Sequence, residues 1–205
     1  MVDAPERSPE RDSAIAAMLP HVPFDGWTTR GLRRALAGIG MPADDAELLF
    51  PGGAGDMIEA FCDWADRRME AEAATHDLAS RRMHERVRAV IALRLAQNRP
   101  HKEAVRRALA LLALPSHARL AAACTARTVD AIWHAAGDRS ADFSWYTKRA
   151  ILGAVYAVTL LYWLHDSSED DAATLAFLDR RLAGVGRLGT LRRRAETVFA
   201  RLRPA

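Results

Sequence analysis

The chain has 205 residues, of which half are hydrophobic, and it carries 29 Lys and Arg against 26 Asp and Glu. A chain of this length can close one core, whereas division into two domains would leave each half poorly buried. Because the formal net charge is only +3, the sequence pI of about 9.2 reflects the basicity of arginine rather than a large excess of positive charge. The positions of the charges therefore matter more than their sum.

The first segment, MVDAPERSPERDS, alternates acidic side chains with arginines and contains no apolar run. A secretion signal needs such a run and a transit peptide is poor in acids, so we expect a cytoplasmic protein. The fifteen uncharged residues from Ala150 to Leu164 fall short of the roughly 20 that a membrane-spanning helix needs. They predict a buried helix.

Apolar residues recur at spacings of three and four along most of the chain after residue 10, and no segment alternates convincingly with a period of two. This periodicity predicts an all-α fold, with breaks at Pro and Gly. Pro100 suits a first helical turn and Gly137 suits a C-terminal cap. The predicted helices cover residues 10–19, 28–38, 43–49, 55–76, 81–97, 100–112, 117–136, 144–165, 171–184 and 188–202.

Two of these helices carry stripes that must face a shared interior. The stripes are Ile58, Phe61, Cys62, Ala65 and Met69 on one helix, and Val87, Val90, Ile91 and Leu95 on the next. Cys62 and Cys124 have no CxxC spacing and no neighbouring histidine pair, so we interpret both as buried thiols.

The stretch MPADDAELLFPGG, residues 41–53, lies where a helix-turn-helix protein carries the helix that reads DNA. Three short helices before a long helical bundle is a layout similar to that of TetR-type regulators. However, the only charges in the stretch are Asp44, Asp45 and Glu47, whereas protein–DNA affinity depends on Lys and Arg against phosphates. Arginines on the preceding helix can touch a DNA backbone, but a helix without donors for base edges cannot specify sequence. They are Arg30, Arg33 and Arg34. We therefore predict that residues 10–50 form a vestigial helix-turn-helix and bind no nucleic acid.

The hexapeptide GVGRLG, residues 184–189, matches the GxGxxG pattern of dinucleotide-binding folds. In those folds a strand precedes the glycines, whereas here a predicted helix precedes them. We expect a hinge and no bound cofactor. Residues 1–9 are expected to be disordered, residues 51–184 to form the helical bundle, and residues 185–205 to form the hinge and a final amphipathic helix.

The final predicted helix, residues 188–202, has one apolar face, and six arginines between residues 187 and 203 are opposed only by Glu196. This pattern is typical of a helix that lies on a membrane surface. It equally fits a last bundle helix whose arginines are solvated. In the first interpretation the membrane contacts are Leu188, Leu191, Arg192, Arg193, Arg194, Val198, Phe199 and Leu202.

No arrangement of side chains predicts a catalytic or metal site. The seven histidines are scattered, without a nucleophile–base pattern or ligand spacing. Glu72 and His76 lie one turn apart, but a di-iron site takes a Glu-x-x-His motif from each of two helices. The acidic run from Asp166 to Asp171 lacks calcium-loop spacing, and we interpret it as a solvated connection that begins the next helix. We expect no catalytic residue and no metal.

The segment SWYTKRAILGAVYAVTLLYWL is apolar on all sides beyond Ala150. Such a helix is central in its fold, forms a dimer or lines a pocket.

Four motifs together resemble the coenzyme Q biosynthesis accessory proteins, a family often called coenzyme Q protein nine. They are LPHVPFDGWT, LFPGG, PHKEAVRRALALLALP and GDRSADFSWYTKRAILGAVY, in the family's order between about Leu19 and Leu182. The resemblance implies a TetR-like, usually dimeric helical fold that no longer reads DNA and that binds isoprenoid quinone intermediates. It also implies a role beside the demethoxyubiquinone hydroxylase, contact with that partner through Trp145 and Tyr146, and a C-terminal membrane helix. Ser144 stands where Asn is usual in the family.

The resulting hypothesis is a homodimeric lipid-binding accessory protein, peripherally bound to the inner face of the cytoplasmic membrane. It would hold an isoprenoid quinone or phospholipid in an apolar cavity and leave the chemistry to the hydroxylase. Each cavity residue, taken individually, is better explained as ordinary core. The candidates are Phe61, Trp64, Trp133, Tyr156, Leu160 and Trp163. The alternatives are a ligand-sensing TetR-type regulator and a weak enzyme acting on the quinone ring.

Overall fold

The computed structural model describes residues 5–138 and 144–184, which fall into two compact units divided after residue 140. The first unit contains α1 (Pro9–Met18), α2 (Val22–Asp25), α3 (Thr29–Gly38), α4 (Ala46–Leu49), α5 (Gly53–Ala73), α6 (Met83–Asn98), α7 (Lys102–Leu112) and α8 (Ala118–Ala135). The second contains α9 (Ser144–His165) and α10, residues 172–184. Neither described range contains a strand, and the all-α prediction is confirmed.

Short 3-10 turns precede several helices and account for most differences from the predicted boundaries. The turn Ala43–Asp45 leads into α4, Arg99–His101 leads into α7 and contains Pro100, and Pro115–His117 leads into α8. The sequence did not predict α2, because four residues are too few to show a helical period. The predicted helix 55–76 ends at Ala73, so Glu72 and His76 do not share a helical face.

The helix ends follow from local chemistry. Ser8 Oγ accepts a hydrogen bond from the N–H of Arg11 (3.1 Å) and Pro9 occupies the first position of α1, so this end is capped. Thr28 caps α3 in the same way through the N–H of Gly31 (3.1 Å). Gly137 follows α8 with φ at +78°, and the N–H of Asp138 bonds to the Trp133 carbonyl (3.0 Å). The predicted glycine cap is confirmed.

The core of the first unit lies around α5, which packs against α1, α6 and α8. The two predicted stripes face this core: Ile58, Phe61, Ala65 and Met69 on α5 are buried, as are Val87, Val90, Ile91 and Leu95 on α6. Cys62 is half-buried at the edge of the α5 stripe, and Cys124 on α8 is buried. Helical spacing therefore identified the packed faces correctly.

Charged side chains join α1 to α5. Asp63 accepts two hydrogen bonds from Arg7 (2.6 and 2.9 Å) and one from Arg67 (3.0 Å). Arg67 also donates two hydrogen bonds to Asp12, at 2.6 and 2.8 Å. The hydrogen bonds from both arginines outweigh burial and lower the pKa of Asp63. Such two-point contacts between arginine and carboxylate fix geometry as well as charge. They set the position of α1 along α5.

A buried guanidinium fixes α4 in the same way. Arg11 donates to Asp56 (2.5 Å) and to the backbone carbonyl of Leu49, and it lies 4.4 Å from the centre of the Phe50 ring. The Leu49 carbonyl is one of the C-terminal groups that a helix leaves without an internal partner. One side chain of α1 thus caps α4 and pairs with the first turn of α5.

A second buried ion pair lies between α5, α6 and α8. Asp66 contacts the Arg94 guanidinium at 3.1 Å and accepts a hydrogen bond from the Thr128 hydroxyl at 3.0 Å. Burial raises the pKa of Asp66 to about 6, although Arg94 and the Thr128 hydrogen bond act in the opposite direction. Loss of hydration therefore costs the carboxylate more than its two partners return.

This environment makes stability depend on pH. The folded state retains the Asp66 proton up to about pH 6, whereas the unfolded chain releases it near pH 4. The contribution of Asp66 to the free energy of unfolding is therefore fully present below about pH 4 and is lost as the pH rises through 6. The Asp66→Asn variant lacks this titration. Its free energy of unfolding relative to wild type should therefore rise by roughly 2–3 kcal/mol between pH 4 and 7. Urea unfolding at several pH values measures this difference. Asp44→Asn, on the exposed surface, serves as control, and a difference that is constant with pH would contradict the prediction.

Candidate functional site

The helix-turn-helix-like surface carries more acid than base where DNA would approach. Glu47 and Asp44 are exposed beside Leu48, whose side chain is 80% exposed. Two of the three arginines on α3 are already paired with carboxylates, Arg33 with Glu47 at 2.6 Å and Arg34 with Asp25 at 2.8 Å. The cations that could contact phosphates are thus largely neutralised within the protein.

Three of the predicted lipid contacts lie in the first unit. Phe61 is 4% exposed and packs against Trp27, with ring centres 5.3 Å apart, while the Trp27 indole donates to the Ala104 carbonyl at 3.1 Å. Trp64, one turn further along α5, is half-buried, and the Arg68 guanidinium lies 4.5 Å from its ring centre. Phe61 therefore belongs to the packed core, whereas Trp64 reaches its edge.

Trp133 on α8 is half-buried, and its indole nitrogen is shielded from solvent without a hydrogen-bond partner among the described residues. Most buried donors in proteins are paired, so such a group calls for an explanation. A polar atom of a bound molecule is one explanation. The sequence pointed to this aromatic side chain but not to its unpaired donor.

The other three predicted lipid contacts lie in the second unit, on α9. Tyr156 and Trp163 are buried and Leu160 is half-buried. They lie on or beside a stripe of buried side chains with helical spacing: Leu152, Val155, Tyr156, Thr159 and Trp163. The Thr159 hydroxyl bonds to the Val155 carbonyl one turn earlier (2.7 Å), so this polar group is satisfied within the helix.

A different face of α9 is apolar and exposed. Its large side chains are Ile151, Val158, Leu161 and Tyr162, which we call the exposed strip. Large apolar side chains in a continuous exposed row mark a surface that contacts another molecule. The prediction of a buried helix over residues 150–164 is therefore wrong for this face, since burial covers only one side of a helix that is apolar all round.

The residues predicted to contact a partner protein begin the same helix. Tyr146 is 73% exposed. Trp145 lies in the first turn of α9, but its side chain falls outside the described part of the structure. The predicted membrane contacts between residues 188 and 202 and the hinge glycines beyond Gly184 also lie outside the described residues, whereas residues 172–184 before them are helical as expected.

An open cleft of about 650 Å³ lies at the C-terminal end of α9, and sequence reasoning missed it. Its lining residues are Tyr162, His165, Asp166, Ser167, Ser168 and Ala173. Asp166 accepts hydrogen bonds from the N–H of Ser168 (2.8 Å) and from the N–H and hydroxyl of Thr174 (2.7 and 2.5 Å). These bonds lower the pKa of Asp166 against the effect of burial. The acidic run therefore joins α9 to α10 and helps to begin α10, as predicted.

Within the described ranges, no three His, Cys, Asp or Glu side chains come close enough together to hold a metal ion. Likewise, no single described helix is both long and apolar enough to cross a membrane. Residues 83–112 and 115–135 meet that requirement of length and composition only when taken together across a bend of 95°.

Comparison with known sequences finds proteins of one name, COQ9. Residues 118–189 match the family model of COQ9. The chain is 31% identical over 182 residues to the ubiquinone biosynthesis protein COQ9, mitochondrial, of Rattus norvegicus, covering 85% of this chain and 58% of the relative. The Homo sapiens protein of the same name is 31% identical over 85% of this chain and 57% of its own length, and that of Drosophila melanogaster is 32% identical over 84% and 54%. The chain thus spans less than two thirds of these relatives.

Among solved structures, the fold is similar to that of a TetR transcriptional regulator from Nitrosomonas europaea ATCC 19718. The TM-score is 0.69 at 23% sequence identity, covering 86% of this chain and 97% of that one. The predicted TetR-like fold is confirmed, as is the resemblance to the coenzyme Q accessory proteins.

The burial of Phe61 can be tested against its prediction as a cavity residue. Because Phe61 packs on Trp27 in the core, Phe61→Ala should lower the free energy of unfolding by about 3–5 kcal/mol. Phe24→Ala is the matched control, since Phe24 is 85% exposed and its loss should cost less than about 0.5 kcal/mol. Denaturant unfolding measures both. A loss below about 1 kcal/mol for Phe61→Ala would place the ring beside open space instead.

Proposed function

We propose that the chain is a lipid-binding accessory protein of ubiquinone biosynthesis that presents isoprenoid quinone intermediates to the demethoxyubiquinone hydroxylase, because it is similar to the COQ9 proteins over 85% of its length. The observation that carries the proposal is α9, which combines a buried aromatic stripe with the exposed strip. An apolar helix with one uncovered side suits a protein whose ligand or partner is itself apolar.

The need for such a protein follows from the solubility of its ligand. A polyprenyl tail loses about 0.8 kcal/mol for each CH₂ that leaves the bilayer for water, so a quinone precursor does not diffuse freely to a soluble enzyme. An apolar cavity replaces the acyl chains around part of the tail and makes the ring accessible. The chain's task is delivery, and the hydroxylation belongs to the partner enzyme.

The candidate cavity residues differ in how well they suit this role. The half-buried side chains Trp64, Trp133 and Leu160 are better placed to meet a ligand than the tightly packed Phe61. The unpaired indole N–H of Trp133 would suit a quinone oxygen or a phospholipid oxygen, because a buried donor gains a partner there. This donor supports a ligand with a polar head and an apolar tail.

Two further surfaces belong to the proposal. The exposed strip would be covered in a homodimer, since a second copy of the same apolar row buries it without new side chains. The C-terminal segment, with its apolar residues and six arginines, would bind anionic headgroups at the inner face of the cytoplasmic membrane. The relatives named above are mitochondrial proteins of ubiquinone biosynthesis.

A regulator that reads DNA is the second candidate, and the TetR-like fold favours it. The paired arginines of α3 and the exposed acids around α4 weigh against it, because binding to phosphates needs free cations. We therefore expect no sequence-specific DNA binding.

Lipid extraction tests the proposal. The purified 205-residue chain should carry isoprenoid quinone, a quinone precursor or phospholipid, detected by solvent extraction and mass spectrometry. Leu160→Asp should lose the lipid, because a carboxylate is costly beside an apolar tail, while Ala176→Asp on the exposed face of α10 should retain it. Circular dichroism confirms that both variants are folded.

Three results would contradict the proposal. A wild-type chain free of lipid would remove the delivery role, binding of duplex DNA with a steep salt dependence would favour the regulator, and turnover of precursor without the hydroxylase would indicate an enzyme. Liposome flotation adds a separate check of the C-terminal segment. Deletion of residues 187–205 should abolish flotation, and unchanged flotation would show that this segment is not the membrane anchor.

The partner contact has its own test. Trp145→Ala and Tyr146→Ala should each weaken binding to the hydroxylase by more than about tenfold, since aromatic side chains dominate protein interfaces. Thr147→Ala, on the exposed surface of the same turn, is the control and should bind as wild type does. Calorimetric titration measures the affinity, and lipid content should be the same in all three variants. Equal affinities for all of them would place the interface elsewhere.

A further inference from the structure

Two thiols that are distant in the sequence meet where α5 packs against α8. Cys62 lies on α5 and Cys124 on α8, both are free thiols, and they are the two cysteines of the chain. Contacts on either side bring the two helices together here: Arg127 of α8 bonds to Glu59 of α5 at 2.6 Å, and Thr128 of α8 bonds to Asp66 of α5 at 3.0 Å. The influence of Cys124 together with burial raises the pKa of Cys62, and the influence of Cys62 lowers the pKa of Cys124.

A cation lies against the Cys124 sulfur. Arg127, on the same helix as Cys124, contacts Cys124 Sγ at 3.6 Å and is held in place by Glu59 at 2.6 Å. After the influence of Cys62, the positive charge of Arg127 is the next effect that lowers the pKa of Cys124, while burial and Glu59 oppose it. A guanidinium beside a sulfur stabilises its thiolate form, which is the form that reacts with oxidants.

The pair lies at the edge of the core rather than in its centre. Cys124 is only 4% exposed, whereas Cys62 is half-buried. A small oxidant such as hydrogen peroxide can reach the pair from the side of Cys62. A bulky thiol reagent or another protein is excluded from Cys124 while the chain is folded.

We propose that Cys62 and Cys124 form a peroxide-sensitive dithiol, in which Cys124 is the attacking sulfur, Cys62 is the resolving sulfur and the product is a disulfide that joins α5 to α8. The assignment uses the α5–α8 contacts on either side of the two thiols, the position of Arg127 and the difference in exposure. It does not depend on lipid binding or on the partner enzyme.

The chemistry is balanced with one hydroperoxide as the oxidant. The Cys124 thiolate attacks one peroxide oxygen, forming an S–O bond and breaking the O–O bond, and the departing hydroxide becomes water on taking a proton. The Cys62 sulfur then attacks the sulfenic sulfur of Cys124, forming the S–S bond and breaking the S–O bond. The Cys62 proton leaves with that oxygen as a second water. Two thiols lose two electrons and one peroxide is reduced.

Mass spectrometry of the intact chain tests the proposal. The reduced 205-residue protein is treated with hydrogen peroxide, unfolded and alkylated with N-ethylmaleimide. We expect a monomer that is lighter by about 2 Da and takes up no maleimide, and a digest in which the Cys62 and Cys124 peptides are joined. Two maleimides per chain after peroxide, or a disulfide found only between chains, would overturn the proposal.

Variants assign the two roles. In Cys62→Ser the Cys124 sulfenic acid should persist and be trapped by dimedone once the peroxide-treated chain is unfolded, whereas in Cys124→Ser the remaining thiol should react with peroxide at least about tenfold more slowly. Arg127→Gln should slow disulfide formation severalfold, and Arg119→Gln, on the exposed side of the same helix, should not. Circular dichroism checks the fold of each variant. Equal rates of reaction with peroxide for the two single-cysteine variants would refute the assignment of attacking and resolving sulfurs. The disulfide between Cys62 and Cys124 in the wild type remains the decisive observation whether or not Arg127→Gln folds.

Discussion

The arrangement of the first unit depends on a charged pair buried between α5, α6 and α8. The Asp66 carboxylate meets Arg94 from α6 and Thr128 from α8, so one side chain of α5 connects the two helices packed beside it. Removing one partner of such a pair leaves an uncompensated buried charge, which costs about 3–5 kcal/mol. The apolar stripes bring the helices together, and the charged pair selects how they are aligned.

The N-terminal helices are integrated into this unit through contacts on the side away from solvent. Arg11 joins α1 to α4 and α5, and Trp27 packs on Phe61 while it donates to the Ala104 carbonyl of α7. The outward side of α3 and α4 carries the exposed acids and the paired arginines. Because the two sides are separate, the outward surface can become acidic without cost to the fold. This separation explains how a TetR-like framework is compatible with the proposed loss of DNA reading.

The two faces of α9 show a similar separation. Trp163 and Thr159 lie on the buried stripe, and Leu161 and Tyr162 lie on the exposed strip, only one or two positions apart in the sequence. At 100° per residue, adjacent positions diverge in direction even when all are apolar. The buried stripe is shielded from solvent, and the exposed strip remains available to a second copy or an apolar ligand. The thiol pair adds a chemical function to the first unit that is independent of both faces.

The amino-acid sequence by itself determined the helices, their packed faces and the resemblance to the COQ9 proteins. In long periodic segments such as α5 and α6, the spacing of apolar residues within the segment identifies the face that packs. Pro100 and Gly137 mark turns because of the backbone conformations that proline and glycine favour. The sequence alone also showed the motif around Trp145 and Tyr146 and the acidic residues around α4. Only the tertiary structure decided which side chains meet across helices. Cys62 and Cys124 looked like two unrelated core thiols, and the pairing of Asp66 with Arg94 had no local signal, because contacts between helices depend on how they are packed and aligned rather than on spacing along either one.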